Sequence, residues 1–222
     1  MPPQERCSSS ARRFLACCRG NILALSAVYP DARRKMTSGI TMIMPVEHLE
    51  KALEHHTLDG LFITGYIDNG SSLREHARPR CGFGQFHPIW DEVYLEVGQS
   101  LLRFRAIDAY SKLKMEQVER IECSFDIDPD DTFGLMSVLR TLLPSGRDSV
   151  RVNQLDVYMN PDESLEPGVV TALGLVIEQG EYLFFDPQDA VNGIHVGSAQ
   201  SRELWLAWTN GRYALTSYRV GV

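Results

Sequence analysis

The sequence predicts an α+β fold that is mainly antiparallel β, with about nine or ten strands in hairpins and meanders and two amphipathic helices packed on the sheet. Three observations support this prediction. Many segments alternate apolar and polar residues, turns containing glycine separate several of them, and two stretches carry apolar residues at helical spacing. A hydrophobic content of 44% with 23% charged residues is typical of an ordinary folded protein.

Two segments have the helical spacing. The first covers residues 45–56, where Pro45 suits the first position of a helix. The second begins after Asp128-Pro129-Asp130-Asp131 and continues to residue 143, and we expect Asp130 or Asp131 to cap its exposed amides. Its apolar stripe is wide, which predicts a helix buried against a sheet. The stripe consists of Phe133, Leu135, Met136, Val138, Leu139, Leu142 and Leu143.

The rest of the chain is mostly strand-like. The apolar segment at 169–178 is nearly continuous, which is typical of a central strand covered on both faces. A hairpin is predicted over residues 204–220, because Asn210-Gly211 accepts positive φ at both positions of a type I′ turn. Its register would pair Trp208 with Tyr213 and Leu206 with Leu215. The predicted strands are residues 60–67, 92–97, 101–107, 118–125, 150–159, 169–178, 182–185, 194–196, 204–208 and 213–220.

Two further predicted hairpins resemble each other. Glu96 and Gly98 in the first match Glu178 and Gly180 in the second, at a constant offset of 82 residues. One interpretation is a weak duplication of a β-meander over about residues 60–125 and 150–222. The other is that glycine before a strand is ordinary hairpin chemistry. In either case residues 39–222 are predicted to form a single domain.

The first 38 residues differ from the rest. They hold seven bases and two acids, so the chain's net charge of -7 divides into +5 for this leader and -12 for the remainder. We interpret residues 1–38 as a basic leader that is either disordered or the product of a misplaced start. No apolar run reaches the roughly 20 residues that span a bilayer, so no membrane association is expected. The five cysteines form no C-x-x-C pair, so neither a zinc knuckle nor a redox motif is predicted. Cys123 lies in a predicted strand, where a buried reduced thiol is expected, so we place the protein in a reducing cytoplasm.

Acidic residues are concentrated in two runs. No Lys or Arg occurs between Arg151 and Arg202, although eight acids do, and a second run from Glu116 to Asp131 has seven acids and one base. The net negative charge argues against binding to nucleic acid. If the runs fold onto one side, that side attracts basic molecules. The candidate binding residues are Asp162, Glu163, Glu166, Asp186 and Asp189.

Other polar groups suggest catalysis or metal binding. His87 with Asp91 or Glu92 is a candidate acid/base pair, because imidazole titrates near neutrality. Asp186, Asp189 and His195 are candidates to converge with Asp126 and Asp128 as a carboxylate/His metal centre. Asp126 and Asp128 supply alternating carboxylates for a metal, but the segment lacks the glycine and the closing glutamate of an EF-hand. No cofactor motif is present, so we expect no cofactor.

Two functions follow from these observations. The first is a non-enzymatic recognition protein of the immunity or inhibitor type, whose acidic β-rich face binds a basic protein partner. The alternative is a small metal-assisted hydrolase with a carboxylate/His site, which requires at least three of those groups to converge within about 5 Å. The sequence leaves the oligomeric state undetermined.

Overall fold

A computed structural model describes residues 41–68, 86–189 and 193–221. The predicted α+β class with mainly antiparallel sheets is confirmed, since these residues contain twelve strands in two sheets and three helices. The strands are β1 (Thr41–Ile43), β2 (Leu58–Ile67), β3 (Phe86–Val97), β4 (Ser100–Ile107), β5 (Lys112–Val118), β6 (Thr132–Ser137), β7 (Val152–Met159), β8 (Val169–Val170), β9 (Ala172–Ile177), β10 (Tyr182–Asp189), β11 (Gly193–Gly197) and β12 (Ala214–Arg219). The helices are α1 (Val46–His55), α2 (Leu139–Leu142) and α3 (Ala199–Thr209).

The strands form two antiparallel sheets. Sheet A has the order β1-β5-β4-β3-β2-β6, with β8 also pairing with β5. Sheet B has the order β11-β10-β9-β7-β12. Half of the strand pairs in these sheets join strands that are consecutive in the chain, through short hairpin connections. The link from β5 to β6 is longer, because it must cross the positions of β4, β3 and β2.

The main core lies between the two sheets. Alternate residues of the strands face inward, so Leu102 and Phe104 of β4 meet Leu183 and Phe185 of β10 in one buried cluster. The rings of Phe104 and Phe185 are in edge-to-face contact, with centroids 5.2 Å apart. Helix α1 adds its buried face to the same cluster through Leu49 and Leu53.

A second apolar layer covers the other face of sheet B. Trp205 of α3 packs edge-to-face on Tyr158 of β7 and Phe184 of β10, with centroids 5.2 and 5.5 Å away. The strand β9 between them is almost completely buried. The predicted central strand covered on both faces is confirmed for residues 172–177, whereas residues 169–170 of the predicted segment form β8 in sheet A.

Several predicted elements are confirmed. Helix α1 forms within the predicted helix at residues 45–56, and the hairpins β3–β4 and β9–β10 form where the sequence predicts them. The two hairpins differ in detail. Val97 pairs with Ser100 across a two-residue turn, whereas Val176 pairs with Tyr182 across a longer one, and the hairpins lie in different sheets. The duplication of a β-meander stays a prediction.

The predicted hairpin over residues 204–220 is wrong. Residues 199–209 form α3, which begins at Ser198 with a capping box and ends at Asn210, and β12 pairs with β7 instead. Asn210 and Gly211 do adopt positive φ, at 52° and 67°, but as the end of a helix. The buried residues Trp205 and Thr209 are four apart, so helical burial outweighs the local alternation of apolar residues.

The second predicted helix is also largely wrong. Residues 132–137 form β6, which pairs with the outer edge of β2, and only the four-residue α2 is helical. Gly134 disfavours a helix and lies opposite Gly65, where the Phe86 ring covers both glycines. Neither Asp130 nor Asp131 caps a helix, since Val138 precedes α2 without a side-chain cap.

The predicted strand at 118–125 ends at its first residue. The alternating side chains belong to β5, which precedes it, and residues 119–131 form the link from β5 to β6. Cys123 therefore lies in a connecting segment, half-buried, with Sγ 3.0 Å from the Phe125 carbonyl oxygen. The leader at residues 1–38 and Cys81 lie outside the described residues. In the described part of the chain, no helix is long and apolar enough to cross a membrane.

Helix α3 offers a matched test of this layering. Trp205→Ala should lower the free energy of unfolding by about 3–5 kcal/mol, because it opens a cavity between α3 and sheet B. Trp208→Ala on the same helix should change it by less than about 1 kcal/mol, because Trp208 is 69% exposed. Urea denaturation measures both values. Equal losses would contradict the placement of α3.

Candidate functional site

The antiparallel register collects loops from both sheets at one end of the molecule. In sheet B, the end of β7, the start of β9 and the second half of β10 lie side by side, because Tyr158 pairs with Ala172 and Leu173 with Phe185. In sheet A, the β4–β5 turn at residues 108–111 lies at the corresponding end. We call this region the acidic end and define it by Asp91, Asp108, Asp162, Glu163 and Asp186.

Lys112 connects the two sheets at the acidic end. Its Nζ atom lies 3.2 Å from Asp108 Oδ2 in the β4–β5 turn and 3.2 Å from Glu163 Oε2 in the β7–β8 loop. The two carboxylates are 59% and 42% exposed, so they keep contact with solvent. One lysine therefore holds two acids together without covering them.

The β10–β11 hairpin meets sheet A at a bulge in β3. Ile63 pairs with Val93 and Thr64 with Ile89, so residues 90–92 bulge out of the β2–β3 ladder. A Cβ on Gly193 would lie 2.6 Å from the Trp90 carbonyl oxygen, so only glycine allows this approach. This contact places the start of β11 beside Asp91.

The structure divides the run of eight acids that has no base. Asp162, Glu163 and Asp186 lie at the acidic end, whereas Glu178 and Glu181 lie at the opposite end of sheet B. There Arg147 pairs with Glu178 and, at 3.7 Å, with Glu181. The eight acids therefore do not share one face, and they meet bases at both ends: Lys112 pairs with Glu163 at the acidic end, and Arg147 pairs with Glu178 and Glu181 at the opposite end.

The remaining acids of this run have separate environments. Asp156 is buried on sheet B, where Tyr182 Oη, Ser217 Oγ and Gln154 Nε2 donate to it at 2.9, 2.7 and 2.7 Å. Glu166 is exposed further along the β7–β8 loop. Asp189 pairs through its backbone with Gly193, and its side chain lies outside the described part of the structure.

The β4–β5 turn has an unusual backbone. Asp108, Ala109 and Tyr110 have φ values of 51°, 53° and 64°, and none of them is glycine. Such residues cost roughly 1–3 kcal/mol each. Several contacts hold the turn: Ser111 donates from its backbone to the Ile107 carbonyl at 3.1 Å, and Tyr110 Oη donates to Asp91 Oδ1 at 3.1 Å. The bond to Asp91 raises the pKa of the Tyr110 hydroxyl.

A cavity of about 380 Å³ lies beside this turn, on the face of sheet A that points away from sheet B. Asp91, Glu92 and Asp108 provide carboxylates, and Ile107 and Ala109 provide apolar wall. Ser124 closes one side, which shows that the link from β5 to β6 passes over this face of the sheet. The cavity lies at the lower end of the range of small-ligand sites, about 300–1,000 Å³.

Charged side chains on the same face form an ion-pair cluster. Arg103 donates to Glu116 Oε2 at 2.6 and 3.0 Å and lies 3.7 Å from Glu92 Oε1. Lys114 lies 3.1 Å from Glu116 Oε1. Burial alone would raise the pKa of Glu116, but the hydrogen bonds from Arg103 and Lys114 outweigh it and lower the pKa. Tyr94 Oη donates to Glu92 Oε2 at 2.7 Å, so the floor of the cavity is fixed.

The candidate catalytic residues are distributed over both sheets. His87 lies in β3, with its ring stacked on Tyr66 at 4.8 Å between centroids. Asp91 lines the cavity in sheet A, whereas Asp186 and His195 are cross-strand neighbours in sheet B. The backbone N–H of Gln188 donates to Asp186 Oδ1 at 2.9 Å.

Asp126 and Asp128 lie exposed in the link from β5 to β6. Over residues 41–68, 86–189 and 193–221, no group of three or more His, Cys, Asp or Glu side chains is arranged to hold a metal ion. The hydrolase alternative stays a prediction.

Comparison of the chain with models of known protein families, with curated proteins and with solved structures finds no match.

Sequence reasoning missed the cavity and most of its walls. A signal for β5 was available, because residues 112–118 alternate in the way a half-buried strand does. No signal predicts the left-handed turn, since Asp108-Ala109-Tyr110 lacks glycine and proline. The Arg103–Glu116 pair depends on strand register and became visible only with the sheet order.

The ion-pair cluster yields a stability prediction. Glu116→Gln should lower the free energy of unfolding by about 2–3 kcal/mol at neutral pH, because it leaves Arg103 without its shortest ion pair. Since the folded pKa of Glu116 is lowered, its contribution is complete above the ordinary value of 4.5 and is lost as pH falls through the folded value.

Urea denaturation from neutral to acidic pH tests this, and the curves of the two proteins should converge at low pH. Glu122→Gln is the matched control, because Glu122 pairs with Arg120 near the surface at 2.7 Å and should contribute less than about 1 kcal/mol. If both variants lose the same amount at neutral pH, Glu116 does not stabilise the sheet as described.

Proposed function

We propose that this protein is a non-enzymatic recognition protein whose acidic end binds a basic protein partner, as an immunity or inhibitor protein does. The observation that supports the proposal is the meeting of acids from three connections at one end of the sandwich. These are the β3 bulge with Asp91, the β4–β5 turn with Asp108, and the β7–β8 loop with Asp162 and Glu163.

The distribution of basic residues indicates which end of the molecule attracts a basic partner. At the opposite end, Arg147 lies beside Glu178 and Glu181 and reduces the local negative charge. At the acidic end, Lys112 lies between two acids that stay 59% and 42% exposed, and Asp162 nearby is exposed as well. An encounter with a basic surface is therefore favoured at the acidic end.

Long-range attraction is the physical basis of this recognition. A concentration of one charge sign steers an oppositely charged partner, raises the association rate and disfavours acidic molecules. Nucleic acid, as a polyanion, is repelled by the same field. We place the encounter in the cytoplasm, in keeping with the reduced cysteines that the sequence predicts.

A binding measurement with a defined basic probe tests the proposal. A fluorescently labelled oligolysine peptide should bind the full chain, and its affinity should fall steeply between about 10 and 150 mM salt, over which the Debye length drops from about 30 to 8 Å. The double variant Asp162→Asn with Glu163→Gln should weaken binding about five- to tenfold at low salt, because it removes two charges from the acidic end.

Asp148→Asn with Glu54→Gln is the matched control. It removes the same charge from residues that are 79% and 42% exposed and lie at the opposite end. This control should bind the peptide within about twofold of the wild-type protein. Affinity that is independent of salt, or equal losses in the two double variants, would reject the acidic end as the binding surface.

A further inference from the structure

We infer that the cavity beside the β4–β5 turn is the subsite in which an arginine side chain of the basic partner binds. The inference rests on the proposed function and adds the chemical group that this end selects. It follows from a concave space of about 380 Å³ whose lining holds three carboxylates against one guanidinium group, together with apolar residues that suit an aliphatic chain.

The polar lining fits a guanidinium group. Asp91 and Asp108 come from two different elements and stand on the rim, and Glu92 forms a buried acidic wall with 3% exposure. A planar guanidinium group has five donors in a fixed fork, so it can bind carboxylates on several sides at once. An ammonium group is a compact charge with no such geometry, and it retains its water more strongly.

The apolar and aromatic lining fits the rest of an arginine side chain. Ile107 and Ala109 provide contacts for the methylene groups, which remain on apolar surface while the charged head meets the acids. Tyr110 lines the same space, and its ring is available to stack on a guanidinium plane. The bond from Tyr110 Oη to Asp91 Oδ1 at 3.1 Å holds one of these acids in position before the ligand arrives.

Arg105 also lines the cavity and supplies one positive charge against the three carboxylates of the lining. Its Nη2 atom lies 3.7 Å from Glu116 Oε1, so its guanidinium group is drawn toward the ion-pair cluster. The cluster contains Glu116 and Glu92 as well as Arg103 and Lys114, so its own charges are largely balanced. Asp91 and Asp108 are the exposed acids of the lining, whereas Glu92 is buried.

The acidic end as a whole and the cavity make different contributions. The exposed acids Asp162 and Glu163 act through the field, so they favour lysine and arginine peptides alike. The cavity acts through geometry and favours arginine. A comparison of two peptides that differ at one residue separates the two contributions.

The test uses two labelled oligolysine peptides of equal length and charge, one of which carries arginine at its central position. The wild-type chain should bind the arginine peptide about five- to tenfold more tightly than the lysine peptide, as expected for a bidentate, stacked contact. Asp91→Asn should remove most of that preference, because it neutralises a cavity acid while keeping its shape. Tyr110→Phe should reduce the preference to a lesser extent, because it keeps the ring and removes only the bond to Asp91.

The double variant Asp162→Asn with Glu163→Gln serves as the control. It should weaken binding of both peptides and keep the arginine preference intact. Equal affinity of the wild-type chain for the two peptides would overturn the inference and leave the proposed function standing, as would a preference that Asp91→Asn does not change. If neither peptide binds, the proposed function fails together with the inference.

Discussion

Coverage of sheet B on both faces is the constraint on which the rest of the structure depends. Sheet A packs on one face and α3 on the other, so apolar side chains fill the length of β9 and the middle of its neighbours. Charged residues are expensive to bury in such a sheet, and Asp156 is tolerated because three donors bind its carboxylate. The other acids of this region are therefore confined to the ends of the strands, and the antiparallel register determines which of them meet.

Sheet A supports the same end of the molecule in a different way. Its outer face carries charged side chains in register, and the Arg103–Glu116 pair fixes β4 against β5 below the left-handed turn. That turn carries Tyr110, whose hydroxyl group holds Asp91 across the cavity. Hydrogen bonds on both sides of the turn thus stabilise the three left-handed residues, so this wall of the cavity is fixed.

The sequence predicts an element well where the apolar pattern within that element is enough to determine its secondary structure. The stripe of α1, the continuous apolar run of β9 and the glycine turn of β3–β4 were all read correctly. The errors occur where contacts with a part of the chain distant in sequence determine the secondary structure. The segment at 132–137 has helical spacing but forms β6, because it pairs with the edge of β2. The segment at 199–209 alternates in part like a strand but forms α3, because its buried face packs on sheet B. The cavity could not be predicted, because Asp91, Asp108 and Ser124 meet only through the sheet order and the crossing of residues 119–131.

The central claim is that the acids at one end of the sandwich, and not those elsewhere, form the binding surface. Mapping of amide chemical shifts in the isotope-labelled full chain during titration with an arginine-containing basic peptide tests it most directly. The account predicts that the largest changes fall on residues 90–92, 108–112 and 160–163, with little change around Arg147 and Asp148. Changes concentrated around Arg147 and Asp148, or spread evenly over the surface, would contradict it.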